Sequence, residues 1–546
     1  MLRNKAGRPA VVMAAVSLAA LAGAGAAAAQ DDGIPTGPRP PVYVPALPAQ
    51  ADPAVAARPV AQPVTTLREA IMVAYSSNPN LLAQRASLRS TDNRLPAARA
   101  QFGPRLDLAA AQSYQRDRFE ILPRTFNGRQ GFANTAQAVF NQPLFTFGRL
   151  RSAEEQARAE IALGRDSLRL QEAQTLLDVV TAFVSVQRET RFVRISQQNL
   201  DLLGRQYRDS AERFRVREIT STDLQQIETR VELGRAQLLE AQGRLNASRA
   251  DFLNAVGAPA AEELAEPDPL PLAAETVDAA YDYAEVNSAL VRAAQSREKI
   301  SRAAVAAARA EQRPRLDLRG SANYGTTSPY SSDLRATQLR GDLAFSVPFI
   351  DSGLRRANER AALEANEADW RLIDQALRDV RLGVGSSWSQ LTAARAAIVS
   401  YARAEDAARR AYEGALEQEK AGARTTLDVL DLLRDLLNTR LNLITAQANE
   451  YTARANLLAA VGRLEGPLLV PEIRAYDPTE HFERVRAKGD VPLLTPALSN
   501  LDGSVVRENR TDRPIRDPAG RLEVEPPVLK AEPALPPLTK RLPSGL

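Results

Sequence analysis

The chain repeats itself. Asn78-Pro-Asn-Leu81 is echoed by Asn287-Ser-Ala-Leu290, and Pro104-Arg-Leu-Asp-Leu108 returns as Pro314-Arg-Leu-Asp-Leu318. Tyr114 recurs as Tyr324. Phe140-Asn-Gln-Pro-Leu-Phe-Thr-Phe-Gly-Arg149 is matched by Phe345-Ser-Val-Pro-Phe-Ile-Asp-Ser-Gly-Leu354, which sets Pro143 and Gly148 against Pro348 and Gly353. Asp223 then faces Asp428, and Val256-Gly257 faces Val461-Gly462. The later landmarks share one offset and the earlier ones a slightly larger one, so a single loop indel reconciles them. A conserved order of this many landmarks implies duplication, and the two copies must fold alike. Repeat one is expected over 65–257 and repeat two over 278–463, with a Pro- and Ala-rich linker at 258–277.

Each copy reads as helix, two strands, very long helix, returning helix. In the second copy Leu316, Leu318, Gly320, Ala322 and Tyr324 alternate with Arg315, Asp317, Arg319, Ser321 and Asn323. Leu339, Gly341, Leu343, Phe345 and Val347 alternate with Arg340, Asp342, Ala344 and Ser346. The first copy shows the pattern more faintly, in Leu106 and Leu108 and in Ala136, Ala138 and Phe140. A period of two with one apolar and one charged face suits a strand between two environments. Such runs, of about ten residues, match a tilted bilayer-crossing strand. A soluble sheet would alternate too, but charges on one face and small residues with terminal aromatics on the other favour lipid outside and water inside. Four strands cannot close a useful bore, so several chains must contribute.

Pro143 and Pro348 are expected to end a strand, since Pro removes a ladder donor and fixes φ. Gly148 and Gly353 then permit a tight swing into the helix. From Arg149 to Ile219 no Pro interrupts about 71 residues, roughly 106 Å of helix. Asp223 to Ala255 returns for about 33 residues, roughly 50 Å, and Leu81 to Gln101 adds about 21, with Pro96 placed to kink it. Leu224, Ile227, Val231, Leu238 and Leu245 form one stripe, as do Leu430, Leu433, Leu437, Leu441 and Ile444, the spacing of coiled packing.

Composition narrows the function. Among 546 residues there is no Cys and one His. That leaves no disulfide framework or thiolate site, and almost nothing for His-based catalysis or metal binding. His481 falls in a Pro-rich stretch and reads as an ordinary surface His. The net charge is +4, and Arg3, Lys5 and Arg8 supply three of these, so the rest sums to +1. Arg is interleaved with Asp and Glu, which speaks against a nucleic-acid partner. Residues 1–29 carry a basic start, an apolar Val11–Leu21 stretch and small residues at Ala27–Ala29, the form of a signal peptide; an uncleaved anchor is the alternative. Residues 30–64 read as a Pro-rich extended leader, and 464–546 as a Pro-rich, largely disordered tail whose first part lies along the body. No cofactor is expected.

Jointly, the duplicated corners, the copy start Leu67–Leu81 and the helix tips Val216–Leu224 and Ala421–Leu432 resemble the TolC-type outer-membrane efflux proteins. The resemblance spans about Thr65 to Arg463. It implies an α+β membrane protein, a homotrimer in which four strands per chain build a 12-stranded outer-membrane barrel. Long helices would form a coiled-coil tunnel through the periplasm. The narrow end would meet a periplasmic membrane-fusion adaptor bound to an inner-membrane ABC or proton-driven pump. The duct itself would do no chemistry. Each corner would join barrel to tunnel, twice per chain.

The resemblance also assigns the tips. Asp428 and Asp431 fit the acidic aperture of the family, and three chains would give two rings of carboxylates that attract cations and repel each other. Copy one has Gln226 at the place of Asp431, so both rings would come from copy two. Arg424 matches the arginine of a closed-state link, and Thr222 and Asp223 match its acceptor side; Glu419 stands where the family has a Tyr. Arg424 is expected to pair with Asp223. Adaptor docking falls on Arg217, Glu218, Ile219 and Thr220 and on Gly422, Ala423 and Thr425; Arg217 stands where copy two has Gly422, which suggests a longer helix or charged docking. Type I protein secretion and small-molecule efflux are hard to separate, with a lean to the former, whereas three Met and one His speak against heavy-metal export. A pore-free exported coiled-coil scaffold remains the structural alternative. An enzyme is the least favoured, because Asp428 and Asp431 sit on a helix tip without a nucleophile or His.

Overall fold

The structure, a computed structural model, describes residues 62–122, 125–328 and 330–504. The expected signal peptide, nearly all of the leader and the last part of the tail lie outside the described residues. Repeat one begins with α1 (Leu67–Ser77), α2 (Pro79–Asp92) and α3 (Arg94–Ala100). The hairpin β1 (Arg105–Leu122) and β2 (Thr125–Phe145) follows, then α4 (Arg149–Arg215) and α5 (Ser221–Val256). Repeat two runs α6 (Val277–Asn287), α7 (Ala289–Ala310), β3 (Arg315–Ser328), β4 (Ser331–Ser346), α8 (Leu354–Lys420) and α9 (Thr426–Val461). Both long helices have 67 residues and both returning helices 36. A length of 67 residues is roughly 100 Å.

The copies differ where a proline separates them. Pro96 lacks the N–H that would bond back to Asp92, and the helix breaks at Asn93. Ala306 holds the corresponding place in α7, which stays continuous.

The four strands form one antiparallel sheet in the order β1-β2-β3-β4. The apolar parity keeps register across it: Leu106, Phe140, Gly320 and Gly341 lie side by side, as do Leu108, Ala138, Ala322 and Leu339. Leu106, Leu108, Tyr114, Phe132, Leu339, Leu343 and Phe345 are each more than half exposed. The strands have 18, 21, 14 and 16 residues, longer than the expected ten or so, because ladder bonding continues past the alternating band. Pro143 does not end its strand. β2 passes through it to Phe145, with a register shift between Pro143 and Phe145 where the missing donor is absorbed as a bulge. Pro348 does lie beyond the end of β4.

The joints that follow are backbone replicas. Phe147 and Gly148 take positive φ (52° and 94°), as do Ser352 and Gly353 (53° and 89°). Two successive left-handed residues turn the chain from strand to helix within one step. Gly148 and Gly353 do this without steric cost.

The main core sits at mid-height, where α1, α6 and the linker wrap the helices. Phe183 and Phe252 meet there with ring centroids 6.3 Å apart, among Ile71, Val180, Val384, Leu457 and Leu458. Each such side chain contributes about 1.5–3 kcal/mol when fully buried. The end of the leader belongs to this core. Val64 is buried and forms a parallel bridge with Ala260 of the linker, its N–H donating to the Pro259 carbonyl.

The first part of the tail lies along the body, as expected, and it does so as helices, which the Pro-rich reading of 464–546 does not anticipate. It forms α10 (Gly466–Leu469), α11 (Pro478–Val485) and α12 (Leu494–Gly503). Its aromatics rest on cations: Tyr476 stacks on Arg85, which Tyr75 covers from the other side, and Phe482 lies on Arg165. His481 is no ordinary surface residue, since its Nδ1 lies 2.8 Å from the carboxylate of the buried Asp92.

Candidate functional site: helix tips and sheet face

The tips are two helical hairpins closed by the same turn. After α4 the Glu218 N–H donates to the Arg213 carbonyl, and after α8 the Ala423 N–H donates to the Gln418 carbonyl. This is the Schellman pattern, and it places one residue in the left-handed region. That residue is Gly422 in copy two (φ 72°) and Arg217 in copy one (φ 65°). Arg217 therefore neither lengthens the helix nor changes the turn; it carries the strain that Gly422 avoids. Glu218 pairs with Arg213 at 3.0 Å. The Arg217, Glu218 and Thr220 side chains are exposed, as are those of Ala423 and Thr425, while Ile219 is half-buried.

Each returning helix starts on a threonine. Thr220 accepts from the Asp223 N–H, and the Asp223 carboxylate accepts in return from the Thr220 N–H and hydroxyl, closing a capping box. Those two donors hold the Asp223 carboxyl below the usual carboxylate range. Thr425 accepts from the Asp428 N–H, but the Asp428 carboxylate has no partner among the described residues. It is exposed at the tip.

The other acids are engaged. Asp431 accepts from Arg230 of α5 at 2.9 Å and has Arg434 at 3.7 Å. The two acids of the expected aperture are therefore unequal: Asp428 is unpaired, and Asp431 ties α9 to α5. Glu419 accepts from Thr426 at 2.6 Å and from Gln206 at 3.2 Å, with Arg213 at 3.8 Å. It is drawn into its own hairpin and α4. The Arg424–Asp223 link is not made within one chain: among the described residues Arg424 has no carboxylate within 4 Å, and Thr222 is exposed beside the capped Asp223. Leu203, Ile227, Leu430 and Leu433 form the small apolar cluster above these groups.

The sheet has a polar face built in the same register. Arg105, Asn141, Arg319 and Asp342 form one row, and Asp107, Val139, Ser321 and Arg340 the next. Arginine and aspartate two residues apart pair along β1, β3 and β4: Arg105 with Asp107 at 3.0 Å, Arg319 with Asp317 at 3.2 Å, Arg340 with Asp342 at 2.8 Å. The face is charged yet balanced, opposite a face of exposed Leu, Phe and Tyr.

Among the described residues no cluster of His, Cys, Asp or Glu could hold a metal ion. No described helix is long and apolar enough to cross a membrane. The helix tips and the alternation of the sheet face were legible in the sequence, and so was a tail whose first part lies along the body. The tail's helices and contacts were not, because they are single side chains that meet partners hundreds of residues away.

The family model for outer membrane efflux proteins matches residues 70–258 and 280–463, one segment for each repeat. The outer membrane efflux protein BepC of Brucella suis is 27% identical over 429 residues, 78% of this chain and 91% of its own length. TolC of Escherichia coli is 24% identical over 73% of this chain and 82% of its own. The alkaline protease secretion protein AprF of Pseudomonas aeruginosa is 26% identical over 68% and 78%. In three dimensions the CmeC outer membrane channel of Campylobacter jejuni superposes with a TM-score of 0.65 at 14% identity, over 78% of this chain and 90% of that one. VceC of Vibrio cholerae does so with a TM-score of 0.61 at 19% identity, over 72% and 96%. With duplicated long helices, a two-faced sheet and a family match over both repeats, the chain belongs to the outer membrane efflux proteins, a family of channels.

Proposed function

We propose that three copies of this chain form an export duct across the outer membrane and through the periplasm. The carrying observation is the sheet. Its exposed Leu, Phe and Tyr face suits lipid, its Arg/Asp face suits water, and its outer strands β1 and β4 each leave one edge unpaired. Exposed edges must pair inside a bilayer, and three such sheets close into one barrel of twelve strands. The long hairpins then make the tunnel wall.

The tips meet a periplasmic adaptor through Arg217–Thr220 and Gly422–Thr425, and an inner-membrane pump of the ABC or proton-driven kind supplies the energy. A ring of three Asp428 carboxylates lines the aperture and draws cations. Asp431 contributes less to that field, because Arg230 neutralises it. Links from Arg424 to Thr222 or Asp223 belong to contacts between chains. Protein cargo in the type I manner is the favoured use, supported by the likeness to an alkaline protease secretion protein, and small-molecule efflux shares the same duct.

Single-channel conductance in a planar bilayer tests this. The wild-type protein is expected to give a small, cation-selective conductance that divalent cations block. Asp428→Ala should abolish the block and much of the selectivity, and Asp431→Ala should do less. Folded protein that never conducts would support the scaffold instead.

A further inference from the structure

The two joints reach the same backbone by different chemistry. In repeat two the joint supplies its own acid: Asp351 accepts from the Gly353 and Arg355 N–H groups, both at 3.1 Å. Repeat one has Thr146 at the corresponding place, two residues before Gly148. The Thr146 hydroxyl accepts from the Leu150 N–H at 3.2 Å, which is the bond Asp351 makes to Arg355. A neutral hydroxyl is the weaker cap, and a carboxylate from elsewhere stands behind it. Asp502 of α12 accepts from the Thr146 N–H at 2.7 Å and from its hydroxyl at 2.9 Å, and reaches the Arg151 N–H at 3.4 Å. Asp502 is fully buried there.

The neighbouring ion pair shows the same division. Arg99 and Glu154 in repeat one correspond to Arg309 and Glu359 in repeat two, at 3.0 and 2.8 Å. The second pair is open, with the Glu359 side chain 25% exposed. The first is sealed, with Glu154 at 2%. The seal is the tail again: Ser499 donates to Glu154, and Asp490 takes the other side of Arg99. Gly489 lies so close to α3 that a Cβ would stand 2.0 Å from the Pro96 carbonyl oxygen.

We propose that residues 478–503 act as a lock on the first barrel-to-tunnel joint, with Asp502 the positioning residue that supplies from late in the chain the carboxylate Asp351 supplies locally. The second joint is complete once repeat two exists. The first stays unlocked until α12 docks, so the tail couples closure of the first joint to the arrival of the segment that follows repeat two.

Amide hydrogen exchange in the full-length, detergent-solubilised protein tests this without requiring a pore, so its failure leaves the duct reading untouched. Asp502→Ala should speed exchange at 146–152 by on the order of tenfold, the loss of a charged hydrogen bond, with 351–357 as an unchanged internal control. Thr146→Asp alone should also loosen the joint, since two carboxylates then crowd one site. The double variant Thr146→Asp/Asp502→Ala should regain protection at 148–150, now with a local acid as in repeat two, while the residue-146 amide stays fast because its Asp502 acceptor is gone. Single and double variants that are equally unprotected, or an Asp502→Ala joint as protected as wild type, would overturn the proposal. If Asp502→Ala does not fold, recovery of folded protein in the double variant supports the lock, and equal loss refutes it.

Discussion

The mid-height core and the helix tips are made from the same four helices, yet they are held in opposite ways. At mid-height, α1, α6, the linker and the tail add an outer layer, and Phe183, Phe252, Val179 and Val180 are sealed from solvent. At the tips nothing outside the hairpins contributes among the described residues. A four-residue apolar cluster, two threonine caps and the Arg230–Asp431 pair do the holding. The difference assigns rigidity to the middle and freedom to the end. The gate proposed at the tips thus lies where few buried contacts must be broken to move it.

The largest effect should come from the middle. Phe252→Ala removes a fully buried ring in contact with Phe183 and is expected to cost about 3–5 kcal/mol in chemical denaturation of the solubilised protein. Leu433→Ala in the tip cluster should cost less, about 2 kcal/mol, because the two-layer tip can collapse around the gap. Equal losses at the two sites would break the distinction between a sealed middle and a thin tip.

The tips sharpen the comparison within themselves. Gly422→Ala forces a Cβ into the left-handed region and should destabilise by about 1–2 kcal/mol. The mirror experiment is Arg217→Gly, which relieves the same strain in repeat one and should gain about 1 kcal/mol, less the entropy glycine brings to the unfolded chain. A loss on Arg217→Gly would mean that the arginine makes a contact worth more than its strain, and would locate an adaptor or neighbouring chain there.

What the sequence disclosed follows from how each feature is encoded. The long helices, the sheet faces and the joints are written in periods and in Pro and Gly punctuation, which survive in any window of the chain. Even the break at Asn93 was foreshadowed by Pro96. The docked tail is different. Its helices have 4, 8 and 10 residues, too short for a period to emerge, and Tyr476, Phe482, His481 and Asp502 acquire meaning only from Arg85, Arg165, Asp92 and Thr146. Among the tip residues, the glycine at 422 announced a left-handed turn while the arginine at 217 concealed one. The pairing of Asp431 with Arg230 was equally silent, since it joins residues 201 positions apart on different helices.

The smallest effect tests whether the sealed middle has a weak point of its own. Glu172 of α4 sits beside Tyr75 and accepts from the Gly466 N–H, at the place where the tail begins. Burial pushes its carboxyl above the ordinary value of 4.5, and nearby Glu465 adds to the rise, while the Gly466 N–H and Arg85 work against it. A raised carboxyl means that the folded protein holds its proton more tightly than the unfolded chain does. The stability this contributes is present below the unfolded value and is lost as pH rises through the folded one. Glu172→Gln keeps a carbonyl to receive the Gly466 N–H and removes the cost of ionisation. Thermal melts across pH should therefore show Glu172→Gln slightly more stable than wild type at neutral pH, with the gap closing as pH falls through that window. A gap that stays constant with pH would mean that the Arg85 attraction and the hydrogen bond offset the burial, and that the middle is satisfied throughout.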